Sequence, residues 1–68
     1  MDKTSLLNEI VIFMVKVRND YNYNIISKDK YELMHIELTH LIDEIDNTDL
    51  LISTVKFDAI KTIYLIMK

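Results

Sequence analysis

The chain has 68 residues, half of them apolar and 28% charged, with a net charge of −3. It contains no Gly, Pro, Cys or Trp. Those absences exclude a disulfide framework, a thiolate zinc site, a cysteine nucleophile and every Gly-rich phosphate loop, and the length allows one domain, 1–68.

Thr4 or Ser5 is placed to cap a first helix over about 5–19, because a hydroxyl accepts from the free amides of the first turn. Leu6, Leu7, Ile10, Phe13, Met14 and Val17 recur there at spacings of three and four, the period of a helix buried on one face. Asn19 to Asn24 interrupts the pattern with a turn-prone run of Asn, Asp and Tyr. Ser27 then caps a second helix over about 28–46, with Asp29 opposing the positive end of its dipole. Tyr31, Met34, Leu38, Leu41, Ile42 and Ile45 form its apolar stripe. Asp46-Asn47-Thr48-Asp49 supplies a stop and the cap of a third helix over about 49–67. Strands are disfavoured, because Ile63 to Met67 is continuously apolar and Asp58-Ala59-Ile60-Lys61 is no hairpin turn.

The expected fold is therefore all-α: a three-helix chain, made of a helical hairpin plus a long C-terminal helix. On a helical wheel the third segment carries an apolar arc of roughly 200°, about twice the stripe of an ordinary surface helix. Ile52, Val55, Phe57, Ala59, Ile60, Ile63, Tyr64, Ile66 and Met67 lie in it. Ile12 and Val15 on the first helix, and Leu33 and Ile36 on the second, lie off the main stripes. So small a domain has little capacity to hide such surface, so burial against a second copy or another partner is expected, the second copy giving a helical-bundle homodimer. Phe57, Ile60 and Tyr64 are the expected interface, with Ile12, Val15, Leu33 and Ile36 as further contacts. Burying about 400 Å² more apolar surface contributes roughly 10 kcal/mol, against association costs of about 4–15 kcal/mol.

The polar residues point to little chemistry. Glu37 and His40 have the Glu-x-x-His spacing of a di-metal carboxylate site, but the wheel turns His40 roughly 145° from the core stripe, where ligands cannot converge. His35 and His40 are five apart, which misses the i, i+4 spacing of a two-histidine metal face. Ser5, Ser27 and Ser53 read as caps or helix-surface residues without a paired base. The acidic corner Asp43 to Asp49 lacks the Gly and terminal Glu of a calcium loop. It reads as solvated acid at a helix start, or as a docking patch for a basic partner. Lys56 falls inside the apolar arc and is expected to snorkel, or to pair with an acid of another helix. Tyr21 and Tyr23 in the loop lack the flanking basic residues of a base-stacking platform.

The stretch Ile36 to Ile42 resembles, over about seven residues, the second helix of the small sporulation phosphatases that dephosphorylate response regulators. Of their Ser-Gln-Glu-Leu-Asp signature only Glu37-Leu38 is present, and Thr39 stands in the place of the acting Asp. No function is carried over.

The basic residues are scattered, so no nucleic-acid footprint is expected. The apolar run 10–15 is too short to span a bilayer, Lys56, Asp58 and Lys61 interrupt the C-terminal segment, and Glu9 spoils a signal peptide. A cytoplasmic chain with no cofactor, no metal and no membrane partner is expected. Eleven Ile, seven Lys against one Arg and five Asn suggest AT-rich coding, as in low-GC bacteria, their phages and plasmids, or an AT-rich virus. The expected function is a small acidic protein-interaction module, an inhibitor or adaptor rather than an enzyme. The alternatives are an immunity or antitoxin-like neutralising protein, or a homodimeric DNA-binding transcriptional regulator.

Overall fold

A computed structural model of the chain, which describes residues 2–68, contains three helices: α1 (Lys3–Asn22), α2 (Lys28–Glu44) and α3 (Leu50–Met67). They pack as a three-helix bundle of 34 × 17 × 17 Å.

Each helix begins on a side chain that satisfies a free amide. Asp2, rather than Thr4 or Ser5, caps α1, its carboxylate accepting from the Ser5 N–H at 2.8 Å. Moving the cap to Asp2 starts the helix two residues before the expected boundary. Ser27 Oγ accepts from Lys30 N–H at 3.3 Å, and Asp49 Oδ1 from Leu51 N–H at 2.8 Å, as the sequence suggests for α2 and α3.

The largest departure from the expected elements is at the end of α1. The segment expected to turn at Asn19 stays helical to Asn22. Asp20 is buried and Tyr21 half-buried, and Tyr21 stacks on Tyr31 of α2 with ring centroids 4.6 Å apart. Tertiary partners thus extend the helix through residues whose local preference is for turns. Reversal comes at Asn24, which adopts φ 61°, a left-handed conformation that Asn tolerates better than most side chains. The Ile25 N–H closes the loop on the Asp20 carbonyl at 2.8 Å.

The core runs along the bundle axis. Leu6, Ile10 and Val17 come from α1, Met34, Leu38 and Leu41 from α2, and Phe57, Ile60 and Tyr64 from α3, with Ile26 and Ile45 closing the loops. Phe13 sets its ring edge-on to Phe57 and Tyr64, at 5.8 and 5.5 Å, a favoured geometry for aromatic quadrupoles.

This core corrects the interface expected from sequence. Phe57, Ile60 and Tyr64 are only 2%, 9% and 0% exposed, so they are covered by the chain's own α1 and α2 and offer nothing to a second copy. The wide arc of α3 divides in two: one half carries these residues, the other faces outward.

Candidate functional site

Two polar anchors fix how α3 sits. Lys30 Nζ donates to the Met67 carbonyl at 2.6 Å, and Lys56 Nζ meets Glu44 Oε1 at 2.7 Å. Lys56 therefore pairs with an acid of a neighbouring helix. Both contacts lie along an antiparallel α2–α3 pair in which Ile52, Val55, Ala59, Ile63 and Ile66 face away from the core. All five are exposed; Ile66 keeps 79% of its surface and Val55 60%.

A second apolar feature lies between α1 and α2, on the side away from α3. It is a groove of about 390 Å³, walled by Val11, Val15, Tyr31 and Ile42, with Arg18 and His35 at its polar rim. Val15, singled out from the sequence, lines this groove. Ile12 instead lines a smaller hollow of about 250 Å³ between α1 and α3, beside Phe13 and Lys61. Leu33 and Ile36 are exposed on α2, so the expected contact residues belong to several faces rather than to one.

The cations around these faces are nearly all engaged. Lys3 pairs with Asp46, Lys28 with Glu32, Lys56 with Glu44 and Lys61 with Asp58, while Lys16 and Lys68 both reach Asp20. Lys30 holds the Met67 carbonyl. Arg18 alone among the basic side chains meets neither a carboxylate nor a carbonyl among the described residues.

Asp20 is the polar residue that sequence reasoning missed, because it reads as part of a solvated loop. Its Oδ2 accepts from the Tyr64 hydroxyl, and Lys68 and Lys16 Nζ lie at 3.3 and 3.5 Å. The Tyr64 hydrogen bond, then the two lysines, hold its carboxyl below the usual carboxylate range despite burial. Burial, and then the bond to Asp20, push the Tyr64 phenol well above its ordinary value. With a donor from α3 and two lysines on one carboxylate oxygen, this cluster joins the end of α1 to the end of α3.

Glu37 and His40 are both exposed. No group of three or more His, Cys, Asp or Glu capable of holding a metal ion occurs among the described residues. No helix among them is long and apolar enough to cross a membrane.

The fold and its faces define the chain as an all-α three-helix bundle with two apolar surfaces open to solvent. The chain matches no family model, no curated protein and no solved structure.

Proposed function

We propose that this chain is a protein-interaction module that acts by occupying a partner's surface, as an inhibitor or adaptor, and carries no catalysis of its own. The observation that carries the reading is the α1–α2 groove with Arg18 at its rim. Its walls are apolar and preformed, in the way that grooves receiving an amphipathic helix are. Arg18, unlike the lysines, has its guanidinium donors free among the described residues. A partner helix with apolar residues at i and i+4 and a carboxylate alongside fits this groove, the carboxylate meeting the guanidinium in a bidentate pair. The alternatives of neutralising a toxin and of regulating a promoter differ in the partner. Engagement of Lys3, Lys16, Lys28, Lys56, Lys61 and Lys68 by acids leaves little positive surface for a phosphate backbone, which favours a protein over DNA.

Affinity capture from the native host with four forms of the chain tests this reading. Wild type and an Asp43→Asn control are expected to retain the same protein in stoichiometric amount. Val15→Glu, which places a charge in the groove wall, and Arg18→Glu, which reverses the rim, are expected to lose it. Retention by all four forms, or by none, would overturn the groove as the binding site.

A further inference from the structure

We infer that the outer face of α3 is a two-fold interface on which a second copy of this chain packs antiparallel, with Ala59 on the symmetry axis. This inference goes beyond the groove reading and uses a different face of the bundle.

The spacing of the face is its own mirror image. Val55 and Ile63 stand four residues either side of Ala59, and Ile52 and Ile66 stand seven. Reversing the helix about residue 59 therefore lays Ile52 against Ile66 of the second copy and Val55 against Ile63. Ala59 meets Ala59. This is the self-complementarity an isologous two-fold contact requires, in which residue i meets j and j meets i. The centre is occupied by the chain's single alanine, and small residues at the crossing point let two helix axes approach to the short end of the usual 8–10 Å. Large side chains at both ends then close over it.

The direction follows from the flanking charges. A parallel pair would set Lys56 level with Lys56 and Asp58 level with Asp58. The antiparallel pair sets Lys56 against Thr62 and opposes the two helix dipoles.

A specific dimer buries about 800 Å² on each partner, about one sixth of this chain's 4626 Å² surface. Leu51 and Leu65, 72% and 68% exposed, extend the apolar outward side of α3 beyond the five axial residues toward that requirement. A lipid surface is a poorer occupant, because interfacial helices flank their apolar face with basic residues, whereas Lys56 and Lys61 are paired with acids.

Analytical ultracentrifugation of the full chain at about 100 μM, above a micromolar dissociation constant, is expected to show a dimer. Ala59→Glu, at an exposed position, is expected to sediment as monomer with an unchanged helical circular dichroism spectrum. Cysteine cross-linking reads the register even if that variant fails to fold. On oxidation, Ala59→Cys should link to itself, and Ile52→Cys should link to Ile66→Cys in a mixture but not to itself. A monomeric wild type would overturn the inference, as would a dimer unmoved by Ala59→Glu or self-linking of Ile52→Cys. A monomer that floats with phosphatidylcholine vesicles would assign the face to lipid instead.

Discussion

The Tyr64 hydroxyl donates to Oδ2 of Asp20, tying the last turns of α3 to the end of α1 across 44 positions of sequence. Tyr64 is fully buried and Asp20 nearly so. Each is the other's answer to burial: the phenol finds an acceptor, and the carboxylate finds a donor beside two lysines. Removing the phenol hydroxyl takes from the nearly buried Asp20 its hydrogen bond from α3 and leaves it Lys16 and Lys68 alone. Tyr64→Phe is expected to lower unfolding free energy by about 1–3 kcal/mol, measured by urea denaturation. An unchanged midpoint would mean that Asp20 is solvated in solution.

The same pair sets the pH dependence of stability. Asp20 has a folded pKa below its ordinary 3.8, so its contribution is present above that value and is lost as pH falls through the folded one. Tyr64 is raised above its ordinary 10.0, so its contribution is present below pH 10 and is lost as pH climbs beyond it, where only the unfolded chain ionises. Urea midpoints should therefore fall below about pH 4 and again above about pH 10. Tyr64→Phe should flatten the alkaline arm, because the group that titrates there is gone.

Ile60 and Ile63 are three residues apart and lie on opposite sides of a boundary. Ile60→Glu puts a carboxylate into the core, at a cost exceeding the roughly 3–5 kcal/mol that so small a core supplies. Loss of the helical circular dichroism signal is expected. Ile63→Glu, on the outward face, should leave the helical signal intact. Equal effects from the two substitutions would contradict the orientation of α3.

Ser53 is wholly buried, and its Oγ has no hydrogen-bond partner among the described residues. Ser53→Ala removes that unsatisfied group and improves helix propensity. A gain of about 1 kcal/mol in unfolding free energy is expected. A loss of stability would mean that the hydroxyl is bonded in solution.

Much of the bundle was legible in the chain. The three-four spacing of Leu6, Ile10 and Val17, and of Met34, Leu38 and Leu41, marks the buried faces of α1 and α2, since polar neighbours delimit each stripe. Ser27 and Asp49 mark two starts by chemistry alone. Asp20 was not legible. Among Asn, Asp and Tyr it looks like loop, and only a tyrosine 44 residues away makes its burial favourable.

What the sequence by itself determined is that three amphipathic helices form and that α3 has more apolar surface than one core uses. Helical periodicity and capping are local properties, readable from neighbours. Which half of the α3 arc turns inward was decided only by the tertiary structure. Ile60 and Ile63 are equally apolar, and nothing local distinguishes them. The choice rests on contacts between distant residues: Tyr64 with Asp20, Phe57 with Phe13, Lys56 with Glu44 and Lys30 with the Met67 carbonyl. The opposite rotation would turn Ile63 and Ile66 inward, but it would carry the Tyr64 hydroxyl away from Asp20, the buried carboxylate among the described residues that accepts from it.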